Sequence, residues 1–261
     1  MKIGFLGFFI VLLLASCGDE GVVTYLSTDI DKMIGEQVKE QINDNPNQFK
    51  ILDSDDYPKV YERLNHIRIE ILNSGMIKHK NDFAWELRIV DDTAVLNAFC
   101  VPGGYIYVYT GLIKFLDSED QLAGVMGHEI AHADLRHSTR QLIQSYGISL
   151  LVKFIFGYDG GGLVNIAANL AGLKFSRSHE SEADLQSVKY LYHTEYDARG
   201  VKGFFEKLNK ENKNPEIVEF LSTHPEPENR IQKIDDEFKL LGGKEGKIFS
   251  KEYEQLKKSL N

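Results

Sequence analysis

From Asp29 to Ile42 apolar residues recur at three- and four-residue steps, at Ile30, Met33, Ile34, Val38 and Ile42, which predicts an amphipathic helix with one buried stripe. A loop rich in Asn and Asp, residues 43–47, ends it. A second helix is expected with Ser54 as its cap and Pro58 in its first turns, burying Val60, Leu64, Ile67, Ile71 and Leu72 until Asn73-Ser74-Gly75 stops it. Both helices read as a cover for the core. Between Phe83 and Tyr109 the period falls to two: Trp85, Leu87 and Ile89 alternate with Glu86 and Arg88, Pro102-Gly103-Gly104 supplies a turn, and Tyr105 to Tyr109 reads as a further strand. From Ser118 onward the pattern is helical again, broken by Gly157, Gly160, Gly161 and Gly162, by residues 212–215, and by Pro225 and Pro227. The expected class is α+β, with helix predominating around a small sheet.

The first residues carry a different message. Met1-Lys2 precedes an apolar run from Ile3 to Leu14, too short to cross roughly 30 Å of hydrocarbon as a helix, so it reads as a secretory leader. Leu14-Ala15-Ser16-Cys17 resembles the bacterial lipobox, which makes residues 1–16 a lipoprotein signal peptide and Cys17 the lipidated first residue of the mature chain. Several acyl chains on Cys17 would hold the protein on a membrane, since one alone binds only marginally. Residues 17–28 then read as a tether, 29–240 as the main domain and 241–261 as a C-terminal helical extension. With Cys17 lipidated, Cys100 is left without a disulfide partner and reads as a small buried hydrophobe. A net charge of -9, with no dense Lys/Arg block, argues against nucleic acid as a partner.

The chemistry centres on His128-Glu129-Ile130-Ala131-His132. A helix turns about 100° per residue, so histidines four apart project from one face and reach a single metal ion. Neutral imidazole suits zinc, and Glu129 beside it is placed to take a proton from a water whose pKa the ion lowers. Catalytic zinc has three protein ligands and an open position, so a further ligand must come from elsewhere. Downstream, Glu180 and Asp184 in Ser176-Arg177-Ser178-His179-Glu180-Ser181-Glu182-Ala183-Asp184 are again four apart. A helix there would aim Glu180 at the metal and Asp184 at a ligand histidine. His179 competes for the ligand role, whereas Glu182 points about 160° away from Glu180 and reads as solvated or salt-bridged. Arg136 and His137 admit two readings, as groups near the site or as ordinary basic residues at a helix end; His137 is read as structural.

These motifs resemble the gluzincin metalloendopeptidases that include the CaaX prenyl endopeptidase, the HtpX-type heat-shock protease and their small periplasmic relatives. The resemblance covers roughly residues 60 to 235. It rests on Asn97-Ala98-Phe99 leading into Pro102-Gly103-Gly104-Tyr105-Ile106 and Thr110-Gly111-Leu112, on the HEIAH segment followed by Arg136-His137, on the Glu180 to Asp184 motif, and on Thr223-His224-Pro225 with Arg230. It implies a mostly helical zincin fold whose small sheet has an edge strand along the active-site cleft. One Zn2+ per chain is implied at His128, His132 and Glu180, with Glu129 as general base. His224 is implied as an additional ligand, a gate or a donor to the oxyanion. Asn97, Ala98 and Phe99 are implied as the strand that aligns an extended polypeptide substrate, although Tyr105, Tyr107 and Tyr109 equally suit simple cover of one sheet face. The chain looks more like the soluble periplasmic branch, which includes the beta-barrel assembly-enhancing protease. That implies quality control of envelope proteins, envelope assembly machinery as a partner, and a lipid anchor on the periplasmic face of the outer membrane. A lipid-anchored zinc chaperone with little proteolysis is the rival reading; Glu129 argues against it, because a purely structural site needs no base. The Gly160-Gly161-Gly162 run lacks the Lys and Ser/Thr of a phosphate loop and reads as a connector or lid.

Overall fold

The computed structural model describes residues 26–147, 149, 151, 166–211, 220–225 and 228–260. The leader, Cys17, the glycine cluster, residues 212–215 and Pro227 lie outside the described residues. Helix α1 spans Asp29–Asp44 and α2 Pro58–Leu72. Three strands follow, β1 (Glu86–Val90), β2 (Ala98–Val101) and β3 (Tyr105–Tyr109), then α3 (Thr110–Phe115), α4 (Glu119–Asp134) and α5 (His137–Tyr146). The remaining named helices are α6 (Ile166–Ala171), α7 (Arg177–Tyr192), α8 (Gly200–Lys210), α9 (Arg230–Leu240) and α10 (Ser250–Lys258).

The first helix and the strands fall where the apolar periodicity puts them. Ser54, however, does not cap α2: it lies exposed in a turn, and the helix opens on Pro58 with Tyr57 ahead of it. Proline explains the shift, because its fixed φ and missing N–H suit the first helical position.

The sheet has the order β1-β3-β2, with β1 parallel and β2 antiparallel to the central β3. Gly103 and Gly104 make the β2–β3 turn with φ of 80° and 85°, a left-handed pair that a side chain would strain. Alternation then divides the sheet into two faces. Tyr105, Tyr107, Tyr109 and Phe99 share one apolar cluster with Ile34, Val38 and Ile42 of α1. Leu87, Ile89, Ala98, Cys100, Ile106 and Val108 face the other way, into the cluster formed with α2, α4, α7 and α8. The tyrosines therefore do cover one sheet face. Cys100 is buried, which pushes its thiol pKa well up.

The segment read as an extension joins this second cluster. Tyr253 of α10 is fully buried and donates to the Ile113 carbonyl at 2.7 Å. Among the described residues no helix is long and apolar enough to cross a membrane.

Candidate metal centre

Helix α4 is the axis of the molecule. Glu119 and Asp120 in its first turn favour the positive end of the helix dipole, and all but Gln121 of its residues are buried. Buried on nearly every side, this helix runs between β2, α2, α7 and α8. His128, Glu129 and His132 are thus carried into the interior, at 3%, 1% and 0% exposure.

Helix α7 begins at Ser176, whose hydroxyl accepts from the His179 N–H at 3.2 Å and satisfies one of the open amides of the first turn. Glu180, Ala183, Asp184, Ser187, Val188 and Leu191 form its buried stripe, and Ser187 donates to the Gly124 carbonyl of α4 at 2.8 Å. This docking delivers the two carboxylates. Glu180 Oε1 lies 3.3 Å from His132 Nε2, and its Oε2 lies 3.5 Å from His128 Nε2. Asp184 Oδ1 lies 3.0 Å from His128 Nδ1, at an angle too bent for a full hydrogen bond. From α9, Arg230 secures both acids: it donates to Asp184 at 2.8 and 3.0 Å and to Glu180 at 3.5 Å, while its guanidinium lies 3.4 Å from the centre of the Phe205 ring.

His224 completes the group from the far side. It follows helical residues 220–223, its Nδ1 sits 3.2 Å from Glu180 Oε1, and its Nε2 sits 3.8 Å from Glu129 Oε1. Ligand atoms of His128, His132, Glu180 and His224 all lie within 4.8 Å of one another.

The electrostatics suit a cation. Burial pushes Glu180 toward its neutral form, yet His224, His128 and the hydrogen bonds with the histidines outweigh it and hold the carboxylate well below its usual range. Burial likewise opposes a charge on His128, but Glu180 and Asp184 push it up to about 10. His132 is held well below its ordinary value by burial. The two Nε2 atoms face each other at 3.0 Å, so at most one of them can carry a proton in the space where four metal-donor atoms converge. A divalent ion satisfies that arrangement better than one proton does, and two imidazoles with a carboxylate form a donor set that zinc accepts. The residues fit a metal.

Comparison with known proteins agrees with this chemistry. The sequence model of peptidase family M48 matches residues 58–238. The chain belongs to this family. The match runs from α2 into α9 and takes in every residue of the centre. Similar curated proteins include the mitochondrial metalloendopeptidase OMA1 of Arabidopsis thaliana, 34% identical over 58% of this chain and 31% of that protein. The corresponding Schizosaccharomyces pombe protein is 33% identical over 62% of this chain and 48% of its own length. The beta-barrel assembly-enhancing protease of Escherichia coli (strain K12) is 30% identical over 52% of this chain and 31% of that protein. The chain therefore spans about a third to a half of the length of these relatives.

Within the M48 region, the structure gathers Glu129, Asp184 and His224 around His128, His132 and Glu180. His179 stands outside this group, its ring stacked on His137 with centroids 4.3 Å apart. Glu182 is half exposed and hydrogen-bonded to His137, with Oε2 3.0 Å from His137 Nε2. Arg136 and His137 are not surface features of a helix end. Arg136 is buried against Asp31 of α1, with a closest contact of 2.6 Å, and His137 is fully buried.

The edge strand is more selective than its sequence. Tyr109 N–H donates to the Asn97 carbonyl, so residues 97, 99 and 101 turn their backbone groups toward β3, and 98 and 100 turn theirs outward. Cys100 is already engaged: its N–H donates to Glu129, and its carbonyl accepts from the Ser138 hydroxyl at 3.4 Å. Phe99 stacks on Tyr107 inside the aromatic cluster, and the Asn97 amide donates to the Ala171 carbonyl at 3.3 Å. Of the three residues, Ala98 alone offers outward backbone. Beside it lies a cavity of about 310 Å³ lined by Val95, Asn97, Tyr109, Ala171, Phe220 and Thr223.

Two aromatic residues escape sequence reading. Phe175 stacks on His132 with centroids 3.9 Å apart, and Phe220 stacks on His224 at 4.9 Å. Phe220 lies one helical turn before His224, a four-residue spacing that signals the pair, whereas no spacing rule signals Phe175, which reaches His132 from a distant part of the chain.

Proposed function

We propose that this protein is a zinc-dependent endopeptidase that hydrolyses peptide bonds in extended or misfolded envelope polypeptides. The observation that carries the reading is a buried carboxylate, Glu129, beside four convergent donors of which it is not one. Zinc held by His128, His132 and Glu180 would supply Lewis acidity, polarising the scissile carbonyl and making an attacking water more acidic. Burial raises the pKa of Glu129 and so makes it a better proton acceptor near neutrality. Glu129 takes the proton of the water as its oxygen bonds to the carbonyl carbon. It then passes that proton to the departing amine as the C–N bond breaks. His224 fills the fourth side of the donor group, where it can serve as an additional ligand, a gate or a donor to the oxyanion.

The outward backbone of Ala98 supports an extended segment pairing along β2, a mode that reads main chain rather than sequence and suits unfolded polypeptide. The adjacent 310 Å³ cavity is the place for one substrate side chain. Casein degradation by the purified chain should stop with a chelator and return with added zinc. Degradation indifferent to both would overturn the reading. In the same assay His224→Ala should alter turnover or zinc affinity, and no change in either would remove His224 from the site.

An envelope location is supported by the Leu14-Ala15-Ser16-Cys17 segment and by the relatives named beta-barrel assembly-enhancing proteases. Anchoring through Cys17 predicts a mature N-terminus carrying acyl chains. Mass spectrometry finding an unmodified terminus would refute the anchor.

A further inference from the structure

His128 and His132 are supported differently. His128 meets a carboxylate directly, Asp184, 3.0 Å from its Nδ1. His132 has no acid at that nitrogen. Its Nδ1 lies 3.0 Å from Nδ1 of His137, and Nε2 of His137 lies 3.0 Å from Glu182 Oε2. Both rings are fully buried.

We propose that Glu182 and His137 form a hydrogen-bond relay that positions His132 and fixes its tautomer for metal binding. The inference rests on the metallopeptidase reading above. Its logic is one of proton counting. His132 turns Nε2 toward His128 and Glu180, so Nε2 is the ligand atom and carries no proton. In a neutral ring the proton then sits on Nδ1 and is donated to His137. His137 accepts at Nδ1, which places its own proton on Nε2, where Glu182 accepts it. Each hydrogen bond dictates the next, and the negative charge at the outer end raises the basicity of the ligand nitrogen at the inner end.

The surroundings hold the relay in place. Phe175 stacks on His132 and His179 stacks on His137, at 3.9 and 4.3 Å between centroids. His137 is fully buried, and its two ring nitrogens are occupied by His132 and Glu182. Glu182 has a side chain 50% exposed and terminates the relay at the surface. The same exposure makes it replaceable without disturbing the core. His137 and Glu182 are positioning residues: neither belongs to the four-donor group.

The test compares the full chain with Glu182→Gln and His137→Phe by zinc competition against a chelator of known affinity. Thermal unfolding of the zinc-free proteins and the visible spectrum of the cobalt(II)-substituted forms complete it. Loss of such supporting partners weakens metal binding about 10–100-fold, the value expected for His137→Phe, with a smaller loss for Glu182→Gln, whose amide still accepts but carries no charge. The cobalt spectrum should shift in both, while zinc-free Glu182→Gln unfolds at the wild-type temperature. Wild-type zinc affinity and an unchanged cobalt spectrum in Glu182→Gln and in any folded His137→Phe would overturn the relay and leave the peptidase reading standing. If His137→Phe does not fold, Glu182→Gln decides alone. A wild-type chain that binds no zinc would overturn both readings.

Discussion

Replacing Glu129 by Gln should abolish cleavage of an unfolded substrate, lowering kcat by about 10²–10⁴, while the protein keeps its zinc. The two halves of this result have separate causes. Metal retention follows because the convergent donors are His128, His132, Glu180 and His224, so the substitution removes no ligand. Gln matches the shape of Glu and its amide oxygen still accepts from the Cys100 N–H, so helix α4 and the edge strand stay in register. Loss of turnover follows because an amide cannot take a proton from water or return it to the leaving amine. No other described carboxylate is placed to substitute: Glu180 is surrounded by the histidines and Arg230, and Asp184 is bound by Arg230 and faces the far side of His128. Casein turnover and zinc content measured on one preparation check the prediction. Cleavage at the wild-type rate would sink the proposed mechanism, and loss of zinc would make Glu129 part of the metal site.

A Gly124→Ala substitution should destabilise the fold by about 3 kcal/mol, seen as a fall in Tm of roughly 6–12 °C. Helices α4 and α8 touch here backbone to backbone. A Cβ on Gly124 would lie 2.1 Å from the Val201 nitrogen and 2.6 Å from the Gly200 carbonyl carbon, and one on Gly200 would lie 1.9 Å from the Asp120 oxygen. Because the obstruction is main chain, no rotamer change relieves it, and the helices have to separate. That separation loosens Phe205 on α8 from Arg230, the group that secures Asp184 and Glu180. Circular dichroism melts of the zinc-free proteins measure the effect; a Tm within 2 °C of wild type would show that the helices part without cost.

Much of the site is written in local spacing. Four-residue separations in 128–132 and 180–184 set which side chains share a helix face, and a helix keeps that relation whatever surrounds it. The alternation of β1 and β3 and the Pro102-Gly103-Gly104 turn are equally local, and each appears where the pattern puts it. The cap of α2 does not, because the backbone restriction of Pro58 prevails over the side chain of Ser54.

What local spacing leaves open depends on contacts between distant segments. Glu182 lies on the side of α7 turned away from the donors, yet it meets His137, because the chain reverses at Arg136 in a left-handed conformation with φ of 59°. A non-glycine residue there costs about 1–2 kcal/mol, and the ion pair with Asp31, from a helix 105 residues earlier, holds it. Phe175 and Arg230 likewise gain their places only when the segment entering α7 and helix α9 pack around α4. The sequence by itself determined that His128 and His132 share a helix face with Glu129 beside them and that Glu180 and Asp184 share another, because helical periodicity is a property of each segment alone. The tertiary structure decided which groups hold those residues in position, and which backbone position of the edge strand turns outward unengaged, because both depend on how separate elements dock.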